Sequence, residues 1–119
     1  MATLLEFAKQ KELAGSYFTG LGAFSDVTFG FFDRKQKDYM RIEVNEQVEV
    51  MSLIGNIAAT DDGPKIHAHV VVGKRDGTAH GGHLLKAHVW PTLELTLTKT
   101  PTQLRRVVDN ETGLPLIAL

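Results

Sequence analysis

The five histidines of this 119-residue chain all lie between positions 67 and 88, and imidazole is the commonest side-chain ligand of transition metals in proteins. Two of them, His67 and His69, alternate with apolar residues in the segment 66–72. On a β-strand, this alternation places both histidines on one face and an entirely apolar set on the other. The apolar face is predicted to contact the core, and the histidines are predicted to line the outer face.

The turn that follows this strand determines which residues lie opposite the histidines. A two-residue turn would place His69 opposite Leu84, whereas a three-residue loop at 75–77 would place it opposite His83. A shift of one residue moves every side chain to the other face, and only the three-residue loop puts Leu84 on the core face. We therefore predict the three-residue loop. A second bulge at the glycine pair 81–82 is the remaining alternative.

In that register, His67, His69 and His83 form a triangle on the outer face. Alternate residues of a strand lie about 6.5 to 7 Å apart and cross-strand partners about 5 Å apart at Cβ. At these spacings three imidazoles can reach one ion at about 2.0 to 2.1 Å each. A divalent transition metal, with zinc as the first candidate, is therefore the predicted cofactor, bound with an open fourth position. Polar packing of the histidines at an interface is the alternative.

Two carboxylates and two further histidines have weaker patterns. Glu94 and Glu49 are each a candidate fourth ligand or a candidate acceptor for an imidazole N–H of the metal ligands, and a solvated charge is the alternative for each. His80 is predicted to pair with Val72 near the end of the hairpin and to lie at the rim of the site. The strand register of His88 is left open by the sequence pattern.

Composition removes several classes of function. The chain has no cysteine, which excludes disulfides, thiolate metal sites and a cysteine nucleophile, and we expect a reducing, cytoplasmic location. Thirteen Lys and Arg against fourteen Asp and Glu give a net charge of −1, whereas affinity for nucleic acid depends on neutralising phosphates with a basic excess. No apolar run reaches the length of about 18 residues that a membrane span needs.

The elements that must position these residues are predicted to be one N-terminal helix and about seven strands. Thr3 and Glu6 have the spacing of a capping box, and Gly15 is a candidate left-handed stop for the helix. The predicted strand segments are 16–23, 26–32, 38–44, 47–59, 65–72, 78–85 and 93–98, with a docked apolar end at 116–119. This order is typical of an α+β fold with a mainly antiparallel sheet, formed by residues 1–119 as a single domain.

Several short motifs of the chain together resemble the plants-and-prokaryotes conserved domain, a module attached to AT-hooks in plant nuclear proteins and found alone in bacteria and archaea. The matching elements are Gly22–Thr28 with Gly30 and Asp33, Glu49 with Ser52–Ile57, His67–His69, Asp76–Gly77, Gly81–Leu85, Pro91–Glu94, and Asp109 with Glu111–Leu114. The resemblance implies an α+β fold, a homotrimer, and a metal at His67, His69 and His83, as in some members. It also implies DNA binding, which is predicted for the single-domain prokaryotic members.

Three hypotheses for the function follow. The first is a small homotrimeric binding module that holds a metal and a small ligand. The second is a DNA-associated regulator, or one with a protein partner, although the basic core of an AT-hook is absent. Its phosphate contacts would come from Arg105–Arg106 and Lys99, or from the basic turn at 34–37. The third is a metal-dependent enzyme of unknown reaction, in which zinc lowers the pKa of a bound water to about 7.

Overall fold

One helix and seven strands make up the computed structural model, which describes residues 2–118. The elements follow in the order α1 (Ala2–Gln10), β1 (Ser16–Asp33), β2 (Asp38–Val44), β3 (Val48–Thr60), β4 (Gly63–Gly73), β5 (Ala79–Lys99), β6 (Arg106–Val108) and β7 (Pro115–Ile117). All strand pairs are antiparallel, which confirms the predicted α+β class. The strands form a five-stranded sheet and a separate two-stranded sheet rather than one sheet of seven.

The five-stranded sheet closes on itself. Its order is β2-β1-β3-β4-β5, and β5 returns to pair with β1 on the edge opposite β3. Alternate residues of these strands therefore point into a shared interior, which is filled by aromatic and β-branched side chains. The largest fully buried members are Phe18, Phe24, Phe29, Ile57, Val27, Val48, Val70 and Val72. Closure also leaves β2 as an edge strand that pairs only with the second half of β1.

Two pairs of predicted strands are single strands in the structure. The segments 16–23 and 26–32 are joined in β1, and the segments 78–85 and 93–98 are joined in β5. Their pairing shifts register at several bulges, one of them between Gly20 and Gly22. Bulges bend a strand without ending it, which is why each pair of predicted segments forms one continuous strand.

The helix ends at a different residue from the one predicted. The left-handed residue is Glu12 (φ 53°), and the N–H of Leu13 donates to the carbonyl of Ala8 at 3.0 Å. This is a Schellman arrangement, in which a buried Leu13–Ala8 contact offsets the strain of a non-glycine left-handed residue. Gly15 also has positive φ, but it lies beyond this motif, and the helix begins at Ala2 rather than after a Thr3 cap.

The C-terminal segment forms the small second sheet. The predicted docked end at 116–119 is confirmed for residues 116 and 117, which with Pro115 form β7 and pair with β6, while Leu119 lies outside the described residues. The second sheet joins the first through the N–H of Ala59, which donates to the carbonyl of Leu104 at 2.7 Å. None of the described helices is long and apolar enough to cross a membrane.

Gly55 of β3 lies where close packing against β1 and β4 leaves no room for a side chain. A Cβ at this position would lie 2.5 Å from the Phe18 ring and 2.6 Å from the carbonyl oxygen of His67. We expect Gly55→Ala to lower the free energy of unfolding by about 1–3 kcal/mol because it overpacks a filled core. The matched control is Gly73→Ala, whose Cβ would come no closer than 3.4 Å to Met51 and should change stability by less than about 0.5 kcal/mol. Urea unfolding that gave equal losses for both variants would contradict this account.

Candidate metal centre

The hairpin between β4 and β5 has the three-residue loop predicted from the sequence. The N–H of Lys74 donates to the carbonyl of Thr78 at 2.9 Å, and Gly77 has a φ of 85°. This loop places His69 directly opposite His83, and Leu84 is buried on the core face. The apolar face of β4 and the loop length therefore act together to put His67, His69 and His83 on the outer face.

His67, His69 and His83 form one group. Each offers a ring nitrogen, and these three atoms all lie within 4.8 Å of one another. The Nε2 atoms of His67 and His69 are 3.3 Å apart. Three nitrogens bound tetrahedrally at about 2.0 to 2.1 Å from one ion are about 3.3 to 3.4 Å apart. One separation therefore already fits a metal, and the others need shortening by at most about 1.5 Å.

The surroundings keep two of these imidazoles neutral. Burial, followed by the charges of His67, His69 and Lys65, lowers the pKa of His83 from 6.5 to about 4. Burial and then the Arg106 charge also lower the pKa of His67. Neutral imidazole is the form that binds metals. At neutral pH these two imidazoles are therefore uncharged.

Neighbouring elements hold the rings of His83 and His67 in place. The Tyr39 ring on β2 packs against the His83 ring, with centroids 4.6 Å apart. It reaches across Gly30 of β1, where an added Cβ would lie 2.8 Å from Tyr39. On the other side, Nη2 of Arg106 lies 3.3 Å from Nδ1 of His67. The same Nη2 donates to Oδ1 of Asn56 at 2.8 Å.

Three cavities adjoin the histidine group, and two of them are lined by both His67 and His83. The larger, of about 580 Å³, is lined by all three histidines and by exposed apolar side chains that include Phe31, Ile54 and Val71. The smaller, of about 110 Å³, lies between the main sheet and the β6–β7 pair. It is lined by Tyr39, Lys65, Ile66, His67, His83, Arg106, Leu114, Pro115 and Leu116.

The structure places the other candidate residues away from this group. Glu94 lies eleven residues along β5 from His83, in register with Leu21, and Glu49 lines a separate cavity beside the β4–β5 loop. Neither carboxylate belongs to the group of three, so their role as acceptors stays a prediction.

The two remaining histidines make contacts of their own outside the group. His80 pairs with Val72, as predicted, and its Nε2 lies 3.2 Å from the Thr78 hydroxyl. His88 pairs with Asp26, and its Nδ1 is 2.9 Å from that carboxylate. The pair also lowers the pKa of Asp26, chiefly through this hydrogen bond.

Sequence reasoning missed three residues around the site. Asn56 is a lone amide in an apolar strand run, and this is a signal that could have indicated a polar contact on the outer face beside His67. Tyr39 belongs to the alternating polar face of β2, but its distance from His83 depends on the closure of the sheet. Arg106 was interpreted as part of a basic surface cluster, and this interpretation is wrong because the residue is only 7% exposed. No local pattern indicates its burial.

The fold and the site together define a class of protein: a small α+β domain with a closed antiparallel sheet that carries three clustered histidines on its outer face. The chain belongs to the Plants and Prokaryotes Conserved (PCC) domain family, whose model matches residues 1–101. This membership confirms the resemblance that the sequence motifs indicated. No curated protein matches the chain.

Solved structures of similar proteins agree with this assignment. A candidate DNA-binding protein from Ralstonia eutropha JMP134 is 33% identical, with a TM-score of 0.91 over 99% of this chain and 82% of its own. A plant- and prokaryote-conserved protein from Pyrococcus horikoshii is 28% identical, with a TM-score of 0.92 over 99% and 82%. A metal-containing protein from Archaeoglobus fulgidus is 32% identical, with a TM-score of 0.88 over 99% and 84%.

Proposed function

We propose that this protein is a small homotrimeric binding module that holds one divalent transition metal per chain at His67, His69 and His83. The observation that carries the proposal is the convergence of three imidazole nitrogens within 4.8 Å of one another. The metal would be the structural and chemical centre of the module, and its remaining position would accept a small ligand. A metal-containing relative of the same fold, from Archaeoglobus fulgidus, supports the proposal.

The donor set favours zinc among the candidate ions. Neutral imidazole suits zinc, copper, iron and nickel, whereas hard ions such as magnesium and calcium prefer oxygen ligands. Zinc takes four ligands in a tetrahedron without a preference imposed by d-electrons, so three histidines and one exchangeable ligand suit it well. The histidine group contains no carboxylate, so the bound ion would retain its full double positive charge.

Exposed apolar side chains beside the histidines support the proposed self-association. Phe31, Ile54 and Val71 are 64%, 55% and 43% exposed, and all three line the larger cavity. A cluster of large apolar side chains in contact with water is typical of a protein interaction surface. We propose that this face is buried between the chains of a homotrimer. The metal centre would then lie beside a subunit boundary.

A DNA-associated role is the second candidate, and a relative of similar fold described as a candidate DNA-binding protein favours it. The structure changes which cations could contact phosphates. Arg106 is buried, and Arg105 forms an ion pair with Asp61. The two arginines therefore do not form a free basic patch. The exposed turn at 34–37, which carries Arg34, Lys35 and Lys37, is the better candidate for phosphate contacts.

Removing one histidine of the group tests the metal centre. Protein purified without added metal is expected to contain about one transition-metal ion per chain by elemental analysis, because neutral ligands are already gathered. His69→Ala should lose most of this metal, since two imidazoles alone bind an ion much more weakly. His80→Ala is the matched control, because His80 lies in the same hairpin outside the group. Absence of metal from the unaltered protein, or equal content in both variants, would refute the metal centre.

A charge introduced into the apolar face tests the assembly. Light scattering of the unaltered protein should give three times the chain mass of 13.1 kDa. Phe31→Glu should shift this mass towards a single chain, because it places a charge in the face that we propose is buried. Leu21→Glu, at a residue 59% exposed on the same strand but outside the cavity, should leave the mass unchanged. A mass of 13.1 kDa for the unaltered protein would overturn the trimer.

Salt dependence tests the DNA candidate. If the basic turn contacts phosphates, the dissociation constant should rise with salt, and neutralising Arg34, Lys35 and Lys37 together should reduce the logarithmic salt slope by about 2 to 3. Replacing Lys9, Lys11 and Lys86, which are also exposed, is the matched control for lost charge. Dissociation constants above about 100 μM at both low and moderate salt would exclude this candidate.

A further inference from the structure

Arg106 is a buried cation whose hydrogen bonds are incomplete. The residue is 7% exposed, and its Nη1 and Nη2 atoms donate to the carbonyl of Pro115 at 2.9 Å and the amide oxygen of Asn56 at 2.8 Å. Its Nε, which is also buried, has no hydrogen-bond partner. Within residues 2–118, no carboxylate forms an ion pair with this guanidinium.

The 110 Å³ cavity beside Arg106 has cationic and neutral donors but no acid. Lys65 and Arg106 contribute the charges, the Tyr39 hydroxyl is a further donor, and His67 and His83 complete the polar lining. The other lining residues are apolar, and none of the nine is Asp or Glu.

A small anion would complete this arrangement. A buried charge without a counter-charge, and a buried donor without an acceptor, each destabilise a folded protein. Guanidinium groups bind carboxylate and phosphate oxygens strongly because their planar N–H donors match the geometry of these oxyanions. The cavity volume is suited to a group of this size, such as a phosphate or the carboxylate end of a small molecule.

We propose that this cavity is an oxyanion site, in which the Arg106 guanidinium donates to one oxygen while Lys65 and the Tyr39 hydroxyl contact the others. The bound group would be a carboxylate or a phosphate. It would lie beside His67 and His83, so the same anion would compensate both the guanidinium and the metal charge. This inference deepens the proposed function and rests on it for the role of the ligand, but the anion site itself needs no metal.

The site can be tested in protein freed of metal with a chelator that is then removed. Inorganic phosphate and acetate are titrated separately by calorimetry, and the ¹⁵N-resolved Nε–H signal of Arg106 is followed in parallel. We expect at least one of the two anions to bind at one site per chain and to shift this signal. Comparison of the two titrations distinguishes a phosphate from a carboxylate ligand.

Two variants with the same loss of charge locate the binding. Arg106→Gln should weaken anion binding by about ten- to a hundredfold, which corresponds to the loss of one charge-assisted hydrogen bond. Arg105→Gln is the matched control, because Arg105 is the adjacent residue, pairs with Asp61 and does not line the cavity. If Arg106→Gln does not fold, Lys65→Gln replaces it, since Lys65 is exposed and its loss should weaken binding several-fold.

Failure of the anion site and failure of the metal site give different results. Metal content is measured on the unaltered protein and anion binding on the metal-free protein, so either site can fail without the other. No binding of either anion to the metal-free protein would overturn the proposal. Binding that appeared only after metal was added and was equally strong in Arg106→Gln would also overturn it, because the anion would then be bound by the metal alone.

Discussion

Around His83, the pairing of β5 changes from β4 to β1, and the rest of the structure depends on this junction. At His83 this strand pairs with His69 of β4 on one edge and with Gly30 of β1 on the other. Beyond it, β5 continues along β1 and closes the sheet. The residue that completes the histidine group therefore lies where the two halves of the sheet meet. Any change that shifts this pairing by one residue would move His83 into the core and Leu84 out of it.

The same junction explains which parts of the site the sequence could predict. The facing of His69 and His83 follows from local features: a three-residue loop, one left-handed glycine and the apolar pattern that includes Leu84. The contact of Tyr39 with His83 does not, because it requires β2 and β5 to flank β1 at Gly30. Residues as far apart in the sequence as Tyr39 and His83 cannot be predicted to be neighbours unless the strand order is known.

Arg106 and the long strands show the limits of local patterns in a different way. A basic dipeptide near the C-terminus is typical of a solvated surface. The Arg106 side chain nevertheless lies buried between the β6–β7 pair and the main sheet. Its partners, Asn56 and the Pro115 carbonyl, are fifty and nine residues away. Likewise, the sequence pattern predicts a break at residues 24–25, whereas β1 continues through this segment with shifts of register against β5. In both cases, contacts with distant parts of the chain determine which of two locally possible structures forms.

The electrostatics of the site link its two proposed ligands. Two nearby cations and partial burial keep His67 and His83 neutral, which suits metal binding but adds a divalent charge to a region that already lacks anions. Such a site is favourable only if a negative ligand completes it, since desolvated like charges repel strongly. Covering the apolar rim of Phe31, Ile54 and Val71 in a trimer would lower the local polarity further and strengthen each of these interactions. Assembly, metal and anion would therefore stabilise one another, and each would bind more weakly in the absence of the others.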